Sequence, residues 1–557
     1  MPVPVIVLNF GHSVLRSLDD YSNAASEIYR HYRQGYNVVA VTSAQGDQSD
    51  VLMAEARQIG PEGEAENLAE LLQLGERRSA ALLALALERV GAPAFVRQAR
   101  DLGLKAQGTY KQAELVDLNV EQLRADLKTH DIVVMPGYVA IGEDDRPVLL
   151  GQGGADLSAL YVAHRLGVKA LLLKDVDGVY EHDPKEAGPA PLRYDEISWD
   201  DAKSQASVLI EPKALAFAKK NEIAFNIGRP GVPTYTSIGP RSSAPKSAPT
   251  LRKLRIAMMG CGIVGGGVYR RVAASDDRFE IVKIMVRDKK KYIDQGYKPD
   301  ELTTDFADIK AAKPDVFIDV SGPIEPALGY MQDLLRSGVH VVSANKQAIA
   351  AGGQALLDHA RKHNAELAFS SAAGGGMPVL EMCQREAGRI VRVEALLNGT
   401  TNYMLDEISA GKTYEAALKE AQEKGFAEAD PSADVGGADA AAKIRLVSLL
   451  AFGHSMTLHD IKRDTIENFV KPAIMTGAMK RVSICSNKDG AVTGTLELKD
   501  LPLDDFLAQA RGEAAHAVFR FKDGEVYKIR GKGAGRWPTT ESVMADLFDI
   551  SAAYFYS

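Results

Sequence analysis

The stretch RIAMMGCGIVGGGVYRRV, residues 255–272, limits what this chain can fold into more than any other. An apolar run suited to a strand leads into Gly260-x-Gly262-x-x-Gly265, and a helical pattern follows. In that setting each glycine has its own task. The first permits a tight turn, the second lets backbone approach a pyrophosphate, and the third lets the helix pack closely on the strand. The N-terminus of the helix then offers free N–H groups to phosphate. The stretch predicts a parallel sheet with a dinucleotide at its edge. The next strand ends in KIMVRDKKK. Arg287, with Lys289, Lys290 and Lys291, suits a ribose 2′-phosphate, whereas Asp288 suits a free 2′-hydroxyl. The basic run points to NADP and leaves NAD open.

With 557 residues the chain needs more than one core. Strand-like apolar runs alternate with helical patterns from the N-terminus to about residue 385, which predicts parallel sheets covered by helices. From about residue 390 the runs RVEALLN, GAVTGTLEL, HAVFRFKDG and EVYKIRGKG read as an antiparallel sheet mixed with long helices. GPRSSAPKSAPTLRK, residues 239–253, is rich in proline and serine, lacks acidic residues, and is expected to run as an exposed connector. The net charge of −8 calls for neither nucleic acid nor an anionic membrane as partner. Three cysteines fit a reducing compartment, and the N-terminus lacks the basic start of a signal peptide. The expected location is cytoplasmic.

Several longer segments in the second half resemble homoserine dehydrogenase. They are VVSANKQAIA, LLNGTTNYML (396–405), GFAEADPSADVGGADAAAKIRLVSLLAFG (425–453) and GKGAGRWPTTESVMADL (531–547), all in that family's order. Read from the residues alone, Asp439 and Lys443 lie four apart and share one helix face. They could form an ordinary surface ion pair. With Glu428 and Asp434 upstream they could also form an acidic cluster with one lysine, suited to a zwitterionic amino acid. The resemblance implies interconversion of L-homoserine and L-aspartate 4-semialdehyde, with NADP or NAD. It makes Lys443 the proton donor and acceptor, with a pKa lowered by burial or a second cation, and Lys346 a second catalytic lysine. It assigns substrate binding to Glu428, Asp434 and Asp439. Cofactor contacts fall to Gly260, Gly262, Ile263, Val264, Gly265, Arg287, Ser321, Lys346 and Gly535. It also implies a monovalent cation, Na+, on the backbone carbonyls of Ser370, Ala373, Gly375 and Met377. The family usually has Glu and Val where Ser370 and Ala373 stand.

The first half resembles the amino-acid kinase fold of aspartokinase. VPVIVLNFGHSVL is expected to be a strand feeding a small-residue turn and then a helix, and GERRSAALLALAL, VMPGYVAIGEDDRPVLLGQGGADLSAL and KDVDGVYEHDP match later signatures. The departures fall where charge is needed. Asn9 replaces the lysine that meets transferring phosphate, Gln152 the arginine that clamps the substrate carboxylate, and Ala155 a serine. Glu76, Asp156, Asp175 and Asp177 persist. Phosphoryl transfer rests on positioning and electrostatics, so these losses remove main contributions.

The implied fold class is α/β. A kinase-like three-layer α/β domain (1–238) and a linker (239–253) come first. A Rossmann dinucleotide-binding domain (254–385) follows, with an inserted α+β substrate and dimerisation domain (386–530) and a returning C-terminal segment (531–557). The expected partners are a small-molecule substrate and further copies of the chain, as a dimer or tetramer. Three readings stay open: a dehydrogenase with a kinase-like domain lacking kinase chemistry, a bifunctional aspartokinase–homoserine dehydrogenase, and a regulatory protein inactive in both halves.

Overall fold

The computed structural model describes residues 3–60, 65–206, 209–249, 252–275 and 277–554. The chain divides into two compact units. One comprises residues 1–89, 93–250 and 555–557, the other residues 90–92 and 251–554.

The first unit is built on an eight-stranded sheet. In spatial order its strands are Glu196–Ser198, Tyr235–Gly239, Phe225–Gly228, Lys169–Leu173, Val5–Phe10, Asn37–Thr42, Ile132–Pro136 and Ala94–Val96. All neighbouring pairs are parallel except Phe225–Gly228 with Tyr235–Gly239. Such strands are buried on both faces and therefore read as continuous apolar runs. Val38, Val39, Ala40 and Val41 are all fully buried. The helix expected straight after Val5–Phe10 begins only at Asp20, because residues 11–19 are held as a series of turns. Asp20 fixes the end of that turn region by accepting the N–H groups of Arg16 and Ser17 (3.0 Å each).

The described residues of the stretch 239–253 are mostly exposed but not featureless; residues 250 and 251 lie outside the described residues. Lys246–Ser247 adds a short strand to a three-stranded sheet beside Leu192–Tyr194. Ser242 Oγ accepts the Ser198 N–H (2.8 Å). Its backbone groups are thus partly satisfied by the first unit, which composition alone does not reveal.

In the second unit a six-stranded parallel sheet has the order Leu302–Thr303, Phe279–Met285, Leu254–Met259, Val316–Asp319, His340–Ser343, Leu367–Ala368. In chain order this is 3-2-1-4-5-6, with the switch point beside Leu254–Met259, where doubly wound sheets bind dinucleotides. A second six-stranded sheet has the order Ile461–Arg463, Ala491–Leu501, Ala478–Lys488, Ile390–Ala395, Ala514–Phe521, Val526–Lys532. It is antiparallel except between its first two strands. The helix Ala438–Phe452 is buried on nearly every side. It packs on this sheet and also against the helix Lys346–Lys362. The C-terminal helix Arg536–Ala553 returns to pack on Ile263–Ala273.

Candidate functional site

The glycine turn lies at the carboxyl end of Leu254–Met259. Gly260 has φ +92°, and a Cβ there would come within 2.9 Å of the Val320 carbonyl oxygen. A Cβ on Gly265 would reach 2.4 Å from the Gly260 carbonyl oxygen, so only glycine lets the helix approach the strand. A Cβ on Gly262 would meet nothing within 4 Å, which leaves that backbone open to a ligand. Gly262 precedes the helix Ile263–Ala273; Ile263 is 76% exposed and Val264 half-buried. Arg287 is exposed just beyond the next strand. The Asp288 carboxylate accepts the N–H groups of Lys290 (3.0 Å) and Lys291 (3.3 Å), capping the short helix Lys289–Ile293. Ser321 follows the strand Val316–Asp319, and its N–H donates to the buried Asp319 carboxylate (3.0 Å). Gly535, with φ +117°, precedes the C-terminal helix. These donors, turns and open backbone fit a dinucleotide.

Asn345 caps the helix Lys346–Lys362 by accepting the Ala348 N–H (3.1 Å), which fixes the start of that helix at Lys346. Lys346 Nζ lies 2.6 Å from Asp439 Oδ1, and Lys443 Nζ lies 2.8 Å from Asp439 Oδ2. Lys443 Nζ also donates to the Leu397 carbonyl (2.6 Å). Asp439 and Lys443 are each only 7% exposed, so this is a buried centre and not a surface ion pair. Burial opposes the Asp439 charge, but the two lysines outweigh it and hold the carboxyl well below the usual carboxylate range. Burial also opposes the Lys346 charge, yet Asp439 raises that ammonium above its ordinary value.

Asp434 is half-buried, and burial raises its pKa. Asn398 Nδ2 donates to Asp434 Oδ1 (2.6 Å) and Asp439 Oδ2 (3.0 Å), tying the two carboxylates together. Arg481, buried on the neighbouring sheet, donates to the carbonyls of Val435 (2.8 Å) and Asp434 (2.6 Å), and burial lowers its pKa to about 10. Glu428 is exposed, and its charge still contributes to raising Lys346. The structure thus gathers Lys346, Lys443, Asp434 and Asp439, with Glu428 at the rim. Neither Asn398 nor Arg481 was singled out from sequence. Asn398 carries the signal of an N-cap, a strand end followed by a helix start, whereas Arg481 sits in the buried strand Ala478–Lys488 and shows no local signal.

Ser370, Ala373, Gly375 and Met377 form one glycine-rich turn, with φ +91° at Gly374 and +58° at Gly375. Ser370 donates through N–H (3.0 Å) and Oγ (2.7 Å) to Asp546, so a carboxylate sits against this loop. Oxygen donors beside a carboxylate fit a hard monovalent cation. Among the described residues no group of three or more His, Cys, Asp or Glu could hold a metal ion.

The first unit has a separate cavity of about 1130 Å³ at the carboxyl ends of its central strands. Glu76, Gln152, Ala155, Asp156 and Asp175 line it. Asn9 is fully buried, is not among the lining residues, and donates to the lining residue Asp156 at Oδ1 (2.6 Å). Gln152 Nε2 donates to Glu211 (3.0 Å), Lys185 pairs with Asp175, and Asp177 accepts from Tyr180 (2.6 Å) and Thr234 (3.0 Å). Glu76 is 4% exposed, and burial raises its pKa to about 8.

Three family models match the chain: the amino acid kinase family over residues 4–227, the homoserine dehydrogenase NAD-binding domain over 260–370, and homoserine dehydrogenase over 378–548. Homoserine dehydrogenase of Bacillus subtilis is 33% identical over 319 residues, covering 54% of this chain and 73% of that protein. That of Corynebacterium glutamicum is 34% identical over 315 residues, covering 52% and 70%. The crystal structure of a homoserine dehydrogenase from Thiobacillus denitrificans superposes with a TM-score of 0.52 at 25% identity, covering 56% of this chain and 75% of that one.

Proposed function

Since the chain belongs to the homoserine dehydrogenase family, an oxidoreductase with an amino acid kinase domain ahead of its NAD-binding domain, we propose that Lys443 moves the proton in its interconversion of L-homoserine and L-aspartate 4-semialdehyde. The bound nicotinamide supplies or accepts the hydride. In the reducing direction hydride arrival at the aldehyde carbon places negative charge on oxygen, and the Lys443 ammonium gives that oxygen a proton. In the oxidising direction the amine takes the proton back. Asp439 holds Lys443 and Lys346 on its two oxygens, so both ammonium groups keep a fixed spacing. Lys346, raised and therefore charged at neutral pH, is a standing positive charge beside the developing alkoxide. Glu428 and Asp434 bind the α-ammonium of the substrate.

One observation carries this reading: a single buried carboxylate bridges two lysines. Purified protein should reduce NADP or NAD when given L-homoserine. A folded protein that reduces neither would defeat it.

The contacts at Gly260, Gly262, Ile263, Val264, Gly265, Ser321 and Gly535 hold the cofactor, and Arg287 makes NADP the preferred form. Capping engages one oxygen of the Asp288 carboxylate, which supports that preference. The carbonyls of Ser370, Ala373, Gly375 and Met377 hold Na+, which would brace the turn against the C-terminal helix; turnover that rises on adding NaCl at constant ionic strength tests this. The protein works in the cytoplasm as a homo-oligomer, which light scattering checks. No helix among the described residues is long and apolar enough to cross a membrane. The kinase-like domain transfers no phosphate, because Asn9, Gln152 and Ala155 leave its site short of cationic and hydroxyl groups. Aspartate-dependent release of ADP, abolished by Asp156→Asn, would favour the bifunctional reading instead.

A further inference from the structure

Asn9 stands where the resemblance places a lysine, yet the floor of the N-terminal cavity has a cation. Lys174 follows the strand Lys169–Leu173, which pairs with Val5–Phe10 so that Leu173 lies opposite Phe10. Residue 174 therefore comes beside Gly11 at the carboxyl edge of the sheet, and a Cβ on Gly11 would lie 3.7 Å from Lys174 Nζ. That Nζ is 2.9 Å from each oxygen of Asp156, and Asn9 donates to the same carboxylate. Lys174 and Asp156 are 9% and 5% exposed.

We propose that the positive charge of this site has been transposed from residue 9 to residue 174, that Asp156 holds it as an internal counter-ion, and that the pair excludes nucleoside polyphosphate from the cavity. This rests on the reading that the domain transfers no phosphate, and names the residue that decides it. With its charge balanced by Asp156, Lys174 gives a polyanion no net positive charge to bind, and drawing it fully away would leave a buried carboxylate unpaired, which is strongly unfavourable. The cavity wall adds Asp50, Glu181, Asp183, Glu186 and Glu211, while its other lysine, Lys185, is already paired with Asp175. Asp156 takes two of the three Lys174 N–H donors and cancels its charge, so the pair offers an incoming polyanion little net attraction within an otherwise acidic wall.

Two measurements on the full chain test this. In calorimetric titration with ATP and Mg²⁺, the unmodified protein should show no saturable binding up to millimolar concentrations. Saturable binding at micromolar concentrations would overturn the proposal. The second measurement is a thermal-stability cycle. Lys174→Thr leaves Asp156 uncompensated, Asn9→Lys crowds a second ammonium onto it, and the double variant restores one charge per carboxylate at exchanged positions. Each single variant should lower the melting temperature, and the double should recover most of the loss. Additive losses would overturn the transposition. If the singles do not fold, a soluble double variant supports it, and an insoluble double beside a soluble Lys174→Arg overturns it. Homoserine oxidation, assayed on the same unmodified preparation, reports the dehydrogenase separately.

Discussion

Asp439 does at one position what two separate carboxylates would do less well: it holds two ammonium groups on opposite oxygens inside the protein. Replacing Lys443 by Ala removes the proton carrier but leaves the glycine turn untouched. Turnover should fall by ~10²-fold or more, while the affinity for NADP, followed by fluorescence titration, stays within about twofold. Near-normal turnover would return Lys443 to a structural role. Glu76 in the other unit makes a prediction about pH. Its folded pKa of about 8 lies above the ordinary value of 4.5, so the folded state holds a proton that the unfolded state gives up between those values. A raised carboxyl pKa therefore costs stability progressively as pH climbs from 4.5 to 8, by up to ~5 kcal/mol. Glu76→Gln should flatten the fall in melting temperature over that window; an unchanged slope would show that Glu76 is not the group responsible.

At the level of elements, the helix Lys346–Lys362 is broken at Gly353, with φ +45° and ψ −130°. A break strands carbonyls in the preceding turn, which then need outside donors. Arg445, on the helix that also bears Asp439 and Lys443, donates to the Ala350 carbonyl (2.5 Å) and to Met456 (2.7 Å). It thereby joins the segment that starts with Lys346 to the helix that holds its partner carboxylate. Arg445→Met should lower turnover about tenfold, since each charged hydrogen bond contributes ~1.5–3 kcal/mol, with cofactor affinity preserved and Arg445→Lys intermediate in steady-state assays. The loop after Phe279–Met285 makes a second prediction. Capping engages one Asp288 oxygen, and Arg287 is exposed beside it, so Arg287→Ala should weaken NADP by roughly tenfold to a hundredfold and NAD far less. Equal losses for both cofactors would mean that Arg287 shapes the loop without reading the phosphate.

Across the whole molecule, the nucleotide-binding turn and the kinase-like cavity belong to different compact units, Gly260 to one and Lys174 to the other. A ligand stabilises the unit that binds it, by ~2.7 kcal/mol at a hundred times its dissociation constant. Saturating NADP should therefore raise the unfolding temperature of the dehydrogenase unit, and Mg-ATP should not raise that of the kinase-like unit, both read by hydrogen exchange in the strands Leu254–Met259 and Val5–Phe10. Protection of Val5–Phe10 by Mg-ATP would contradict the exclusion of polyphosphate from that cavity.

Short-range chemistry made much of this legible in the sequence. The tasks of Gly260, Gly262 and Gly265 follow from the steric demands of consecutive residues, and Asp439 with Lys443 follows from the pitch of one helix. The absent charges at Asn9 and Gln152 were likewise readable against a familiar motif. Only the tertiary structure decided what depends on strand neighbours and helix packing. Lys174 faces Asp156 because two strands distant in sequence lie side by side in register. Lys346 meets Asp439 because one helix starts at an asparagine cap and packs on another. Arg481 reaches the Asp434 loop from inside a buried strand. Sequence spacing states which residues share a turn, but Coulomb energy depends on distance in space, and that distance is set by how the sheets order their strands.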